Sequence, residues 1–157
     1  MRNLNITGAV LATMLAGAGW VYADSEGKLP AGPIHDRHEL MEEIGDNAKI
    51  IGDALKSGQL EPVGPAAEKI HAASAKAVAL FPKGSTHPKS RAKPEIWDNW
   101  EKFETLSKDF ETAAGELAAA AKSGGDVKAA ANTMFGTCKS CHDDFRKPEE
   151  KKGATKS

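Results

Sequence analysis

Two cysteines and a histidine near the C-terminus stand in the segment Cys138-Lys139-Ser140-Cys141-His142. This segment matches the C-x-x-C-H pattern for covalent attachment of a c-type haem. Cysteines three residues apart lie on one face of a helix, so both thiols can reach the two vinyl groups on one edge of a porphyrin. The histidine follows the first cysteine by four residues, and its ring can bind the iron from the same side. We therefore predict one covalently attached haem c, with His142 as an iron ligand.

Two other uses of a cysteine pair fit the sequence less well. A zinc site needs about four ligands, but the chain has two cysteines and neither a second pair nor an H-x-x-x-H partner nearby. A thioredoxin-like dithiol belongs at the start of a helix in a βαβ context, whereas this pair falls within a predicted helix and precedes a histidine. Haem attachment uses both cysteines, so no structural disulfide is predicted.

The elements that must position this motif are helices, because apolar residues repeat with a helical period and no segment alternates as a half-buried strand does. The first predicted helix follows the turn at 30–33 and ends before Gly58. The second starts after Gly64-Pro65 and stops before Pro82, since proline fits the first turn of a helix but cannot continue one. The apolar stripe of the first helix, which Arg37 interrupts, is Ile34, Met41, Ile44, Ala48, Ile51 and Leu55.

Two further helices complete the prediction. The third begins at Pro94, ends at Gly124-Gly125 and has the most regular apolar seam of the chain, which contains Trp97, Trp100, Phe103, Leu106, Phe110, Ala113, Leu117 and Ala120. The fourth has Asp126 as its N-cap and carries the cysteines on one face. Four helices of about 20 residues predict an all-α, antiparallel four-helix bundle with haem attached to the C-terminal helix.

The first 23 residues are predicted to be a signal peptide. Arg2 gives a positive start, an uncharged apolar stretch runs from Ile6 to Val21, and small residues precede a cleavage point after Ala23. An uncleaved anchor is the alternative, but a spanning helix needs about 20 apolar residues. The expected domain is therefore residues 24–157, ordered over about 33–147 with a mobile C-terminal tail, exported and without stable membrane insertion after cleavage.

The charge of the chain limits its partners. Lysine and arginine number 21 against 22 acidic residues, and the net charge is −1. Such a balance gives no global field that would attract nucleic acid. The connection 82–93, between the second and third helices, is a local exception because it carries Lys83, Lys89, Arg91 and Lys93 without an acid. It is either a docking patch for an acidic redox partner or a solvated loop.

The position of the haem motif on the last of four helices resembles the class II cytochromes c, which include cytochrome c prime and its low-spin relatives. The resemblance runs from about residue 33 to 147. It rests on four motifs, Arg37-x-x-x-Met41-x-x-Ile44-Gly45, Phe81-Pro82-x-Gly84, Lys93-Pro94-Glu95-Ile96-Trp97 and Cys138-x-x-Cys141-His142-x-x-Phe145-Arg146. The resemblance implies a bundle with the haem lodged among the helices, often packed as a homodimer, in a bacterial periplasm.

The same resemblance gives roles to two residues of the first helix. The family places an arginine such as Arg37 near a haem propionate, and an anion would offset the cost of a guanidinium in an apolar stripe. The alternative is a side chain that extends to water. Met41 lies one turn later, where low-spin members have a methionine ligand to iron and many gas-binding members have leucine. Methionine is also a common core residue.

Several other side chains near the motif have more than one interpretation. Arg146 either raises the potential of the iron or favours the C-terminal end of the helix dipole. Other histidines are rival iron ligands, His71 the best of them. The aromatic residues of the third helix are core residues, although one or two would touch the porphyrin. The rival histidines are His35, His38, His71 and His87.

These observations predict an electron carrier and not an enzyme, because the sequence shows no nucleophile with its base and no second metal site. We expect it to carry single electrons between periplasmic redox partner proteins through a low-spin haem ligated by His142 and Met41. The alternative is a cytochrome c prime-like protein with five-coordinate iron that binds nitric oxide or carbon monoxide.

Overall fold

The computed structural model describes residue 29 and residues 31–148. The predicted signal peptide and most of the predicted mobile tail lie outside the described residues. Five α-helices make up the described part of the chain: α1 (Pro33–Ser57), α2 (Val63–Ala77), α3 (Glu95–Asp98), α4 (Trp100–Ser123) and α5 (Val127–Phe145), with a 3₁₀ turn (Val78–Leu80) after α2. Four of the five are long, and the predicted all-α four-helix bundle is confirmed.

Local chemistry sets the helix ends that the sequence predicts best. Gly58 and Gly124 follow α1 and α4 with φ of 74° and 72°, a left-handed conformation that glycine adopts without steric cost. The Asp126 side chain accepts a hydrogen bond from the backbone N–H of Ala129 at 2.9 Å, which confirms the predicted N-cap of α5. These ends make the turns that return the chain antiparallel to itself.

Two predicted boundaries are wrong. The helix α2 begins at Val63, before Gly64, because Pro65 falls within the first turn, where its missing N–H costs no hydrogen bond. The predicted third helix is interrupted at Asn99, whose φ of −125° and ψ of 46° are not helical. The Asn99 side chain donates to the carbonyl of Glu95 at 3.1 Å, a local bond that competes with the helix.

The buried face of α1 is rotated from the predicted stripe by about one residue. Ile44 and Ile51 are buried as predicted, but Met41 is 36% exposed. Buried Asn47 donates from its side chain to the carbonyl of Glu43 at 2.8 Å, which satisfies its polar group inside the bundle. The buried residues of α1 are Arg37, Leu40, Ile44, Asn47, Ile51 and Ala54.

The core of the bundle has two parts. The larger, which we call the alanine cluster, takes small and aliphatic residues from all four long helices, including Ile51, Ala67, Ala114 and Ala131. The second, the aromatic cluster, consists of Phe81, Ile96, Phe103 and Phe145, with Trp97, Trp100, Leu106 and Cys141 packed against it. Since the aromatic cluster contacts one of the two motif cysteines, it lies at the end of the bundle that carries the chemistry.

No helix among the described residues is long and apolar enough to cross a membrane.

Candidate haem site

The helix α5 presents its two cysteines and its histidine to a single cavity of about 350 Å³. Cys138, Cys141 and His142 are each partly buried and all line it. The N-cap at Asp126 and the buried Met134 fix α5 against the bundle before the motif begins. The predicted convergence of the thiols and the imidazole is therefore present in the fold.

The other walls of the cavity are mainly apolar. The helix α4 contributes Phe103, Leu106 and Phe110, and α1 contributes Ile34, Met41 and Ile44 across from the cysteines. Of the aromatic residues singled out in the sequence, the two phenylalanines line the cavity, while Trp97 donates its indole N–H to the carbonyl of Phe81 at 3.1 Å. An apolar cleft with a few polar groups is the usual form of a cofactor site.

Both cysteines carry neutral thiols. Burial raises the pKa of Cys138 to about 11, and the neighbouring Cys141 adds to the shift. The pKa of Cys141 is also about 11, again mainly through burial, with a smaller contribution from Asp144. A zinc ligand or a redox dithiol works as a thiolate. Within the part of the chain that the structure describes, no group of three or more His, Cys, Asp or Glu side chains is arranged for a metal ion.

His142 is held in the form that binds iron. Burial lowers the pKa of the imidazole, and the positive charges of Arg146 and Arg91 lower it further, against a weaker opposing effect of Asp143. A neutral ring nitrogen is available as a ligand near neutral pH.

The residues present fit a covalently attached haem. Two thiols one helical turn apart and an adjacent neutral imidazole face an apolar cleft between α1, α4 and α5. The thiols of Cys138 and Cys141 would hold the porphyrin edge, and His142 would bind the iron from the α5 side. When bound, the haem supplies one-electron chemistry and a site for small ligands, while the protein supplies orientation and burial.

Met41 and Ile44 of α1 line the same cavity as His142, whereas the buried Leu40 does not line it. A bond between Met41 and iron stays a prediction.

Arg37 is buried, 4% exposed, and its guanidinium is directed at the α2 to α3 connection. Nη1 donates to Ser85 Oγ at 2.8 Å and more weakly to the carbonyl of Leu80 at 3.5 Å. Nη2 donates to the Ser85 carbonyl at 2.7 Å and to Ser90 Oγ at 2.9 Å. The guanidinium also stacks over the ring of Phe81 at 4.8 Å. Four bonds occupy both terminal nitrogens and leave Nε for another acceptor, so the predicted contact with a propionate stays a prediction.

Sequence reasoning missed these serine partners. Ser85 and Ser90 lie 48 and 53 residues from Arg37, in a connection without periodicity, so no local pattern points to them. Their burial against a guanidinium is a property of the tertiary fold alone.

The rival histidines have other neighbours. Nδ1 of His71 lies 2.9 Å from the carbonyl oxygen of Glu111, so this side chain on α2 is directed toward α4. His87 accepts from the backbone N–H of Lys89 at 3.2 Å. His38 lines the mouth of the cavity, where its Nε2 lies 3.3 Å from a carboxylate oxygen of Glu42.

The fold and this site together define a class of protein, a mono-haem c-type cytochrome built on a four-helix bundle. The sequence profile of the cytochrome c' family matches residues 32–146, which include the whole motif and every cavity-lining residue named above. The chain belongs to the cytochrome c' family, and with it to the class II cytochromes c that bind one covalent haem c.

Curated relatives support the same assignment. The chain is 34% identical to cytochrome c' of Rhodospirillum rubrum over 122 residues, covering 74% of this chain and 83% of that protein. It is 32% identical to cytochrome c' of Rhodopseudomonas palustris over 151 residues, covering 93% of this chain and 96% of that protein.

Solved structures of cytochromes c' share the fold. The cytochrome c' of Thermochromatium tepidum is 31% identical and superimposes with a TM-score of 0.69 over 74% of this chain and 95% of that one. A ferrous variant of the Alcaligenes xylosoxidans protein, 25% identical with a TM-score of 0.63 over 77% of this chain and 100% of that chain, has bound NO. Another cytochrome c', 30% identical with a TM-score of 0.68 over 74% of this chain and 95% of that one, shows ligand-controlled dimer dissociation.

Proposed function

We propose that this cytochrome binds a small diatomic ligand, nitric oxide or carbon monoxide, on the side of the haem that faces α1, and that His142 is its only protein ligand to iron. This function is the alternative that the sequence offers to a low-spin electron carrier. The observation that carries it is the match of residues 32–146 to the cytochrome c' family, in which a relative of the same fold has bound NO.

The surroundings of the cavity favour a small uncharged ligand. From α1 it is lined by the apolar side chains of Ile34, Met41 and Ile44, beside Arg37, His38 and Glu42. The terminal nitrogens of Arg37 are occupied by Ser85 and Ser90. The apolar part of the lining favours a diatomic gas over a charged ligand. The bound NO in the Alcaligenes xylosoxidans relative supports this choice.

One observation favours the second candidate, a low-spin electron carrier with His142 and Met41 as ligands. The Met41 side chain lines the same cavity as His142, and methionine has a flexible, unbranched side chain. The two candidates differ in the state of the reduced protein before any ligand is added.

The deciding experiment is an absorption spectrum of the reduced holoprotein with and without carbon monoxide. We expect a high-spin spectrum that changes at once when the gas is added. Met41→Leu should retain this behaviour, because leucine fills the same space and no iron bond is lost. Ile50→Leu is the matched control, since Ile50 is an exposed residue of the same helix, at 44% exposure, outside the cavity lining.

The proposal would be rejected if the same spectra showed that Met41 binds the iron. A native protein that is low-spin and does not respond to carbon monoxide, combined with a Met41→Leu variant that is high-spin and does respond, would establish Met41 as a ligand. The protein would then be the electron carrier of the second candidate.

We further propose that the chain is exported to the bacterial periplasm and pairs with a second copy of itself. The N-terminal segment described above supports export. Leu60, exposed in the turn that follows α1, offers apolar surface to a partner, and the relative with ligand-controlled dimer dissociation supports a dimer. Light scattering of the holoprotein would test it, and a monomer at all concentrations would exclude it. Electron exchange with periplasmic redox partner proteins stays a prediction.

A further inference from the structure

The connection of residues 81–94, between the 3₁₀ turn and α3, passes from one side of the haem cavity to the other. At the α1 side, Arg37 donates to Ser85 Oγ at 2.8 Å and to the Ser85 carbonyl at 2.7 Å. The same guanidinium donates to Ser90 Oγ at 2.9 Å. Ser90 is itself 9% exposed, so this bond is shielded from water. The first half of the connection is therefore fastened to α1.

The second half of the connection pairs with the residues that follow the haem motif. The backbone N–H of Lys93 donates to the Phe145 carbonyl at 2.9 Å, and the N–H of Lys147 donates to the Arg91 carbonyl at 2.7 Å. These two bonds form a short antiparallel bridge. The bridge begins three residues after His142, which places it directly beyond the proposed iron ligand.

A side chain strengthens this attachment. The ammonium of Lys93 donates to the backbone carbonyls of Asp143 and Asp144 at 3.1 and 2.8 Å. The last carbonyls of a helix have no intrahelical partner and carry partial negative charge, so a cation there is favourable. Lys93 thus holds the last turn of α5, the turn that contains His142.

These attachments matter because α1 and α5 do not pack extensively against each other. Among the described elements, the main helix contacts join α1 to α2, α2 to α4 and α4 to α5. The cavity lies between α1 and α5, and its lining includes Met41 from α1 and His142 from α5. Ser90 is the point at which the attachments meet, because its hydroxyl accepts from Arg37 and its carbonyl accepts from Lys147 Nζ at 3.3 Å.

We infer that this connection is a spacer that fixes the distance between the α1 wall and the α5 wall of the haem cavity, with Ser85 and Lys93 as the positioning residues of its two ends. The inference rests on the haem lying in this cavity and not on whether the iron has an open side. Relaxing either end of the spacer lets the two walls separate, and this changes the burial of the haem and therefore its reduction potential.

Four variants of the holoprotein test the spacer. Ser85→Ala removes the hydrogen bond from Arg37 Nη1 without changing charge, and Lys93→Met removes the bonds to the carbonyls of α5. Lys93→Arg is the rescue variant, because a guanidinium can still donate to both carbonyls. Lys102→Met is the matched control, since Lys102 meets the exposed carboxylate of Asp144 at 2.9 Å and contacts the same helix end through a side chain only.

Amide hydrogen exchange and the reduction potential are the two measurements. We expect Lys93→Met to accelerate hydrogen exchange of the Lys147 backbone amide about tenfold. A factor of this size is expected when a hydrogen bond to a charged group is lost and the segment opens more often. Ser85→Ala should accelerate the same amide several-fold, although its broken bond with Arg37 is at the opposite end of the connection. Both variants should shift the potential, while Lys93→Arg and Lys102→Met remain close to the native protein.

Two results would overturn the inference. One is a Ser85→Ala variant whose Lys147 exchange and potential both equal those of the native protein, because the two ends would then be independent. The other is a Lys102→Met variant that reproduces Lys93→Met, because general charge and not the carbonyl bonds would then explain the effect. Neither measurement requires gas binding, so an iron without an open side rejects the proposed function and leaves this test intact.

Discussion

Phe103 is the residue whose removal should damage the haem end of the bundle most. It is 3% exposed and lies at the centre of the aromatic cluster. Its ring is 4.8 Å from Phe81, 5.4 Å from Trp100 and 5.6 Å from Phe145, measured between ring centroids. These neighbours belong to the connection, to α4 and to α5, so one side chain on α4 joins the elements around the cavity.

The expected cost of Phe103→Ala follows from this burial. Truncation of a buried phenylalanine costs about 3–5 kcal/mol through lost transfer energy and the cavity left behind. Three aromatic neighbours place the cost in the upper part of this range, at about 4 kcal/mol, because each favourable ring pair adds roughly 0.5–1.5 kcal/mol and the pairs are not additive. For a domain of this size such a loss lowers Tm by about 12–16 °C.

Urea unfolding of the holoprotein, followed by far-ultraviolet circular dichroism and by Soret absorbance, measures this cost. Phe103→Leu is the conservative comparison and should lose less stability than Phe103→Ala, because leucine refills part of the space but forms none of the three ring pairs. Phe110→Ala is the positional control, since Phe110 lines the same cavity two turns later on α4 but is only partly buried. A loss below about 1 kcal/mol for Phe103→Ala, or a larger loss for Phe110→Ala, would refute the central role of the ring.

The remaining predictions concern attachment and export. Replacing both cysteines, Cys138→Ala with Cys141→Ala, should give a protein without covalent haem and with a clearly lower thermal midpoint, because the apolar cavity would lose the group that fills it; native thermal stability without haem would contradict this. The protein recovered from a periplasmic fraction should begin at Asp24 and carry one haem by intact mass, whereas a chain that retains residues 1–23 would indicate an uncleaved anchor.

The parts of the fold that the sequence predicted are those controlled by local chemistry. Gly58, Gly124 and Asp126 end or begin helices through their own backbone or side chain, so their roles can be read from a few neighbouring residues. The haem motif is local in the same sense, because all its groups lie on one turn of α5. Its placement at an apolar cavity followed from helical periodicity.

The orientation of α1 could not be predicted in the same way. Apolar periodicity does not distinguish a face packed against protein from a face that lines a cofactor cavity, since both require apolar residues. Leu40 and Met41 are adjacent and both apolar, and only the tertiary fold decides that Leu40 is buried in the alanine cluster while Met41 lines the cavity. Similarly, the position of Arg37 in an apolar stripe predicts that its guanidinium meets an anion or reaches water. Its hydroxyl and carbonyl partners in the structure lie about 50 residues away along the chain.

The division of the core into two clusters has a consequence for how the protein is made. The alanine cluster draws on all four long helices, including the early part of α5 through Val127, Ala131 and Met134. The topology of the bundle can therefore be established before any cofactor arrives. The turn that carries the cysteines lies beyond this cluster, and both thiols are only partly buried where they line the cavity. A nascent chain would thus offer its thiols at the cavity of an otherwise formed scaffold, and haem attachment would complete the core at that end.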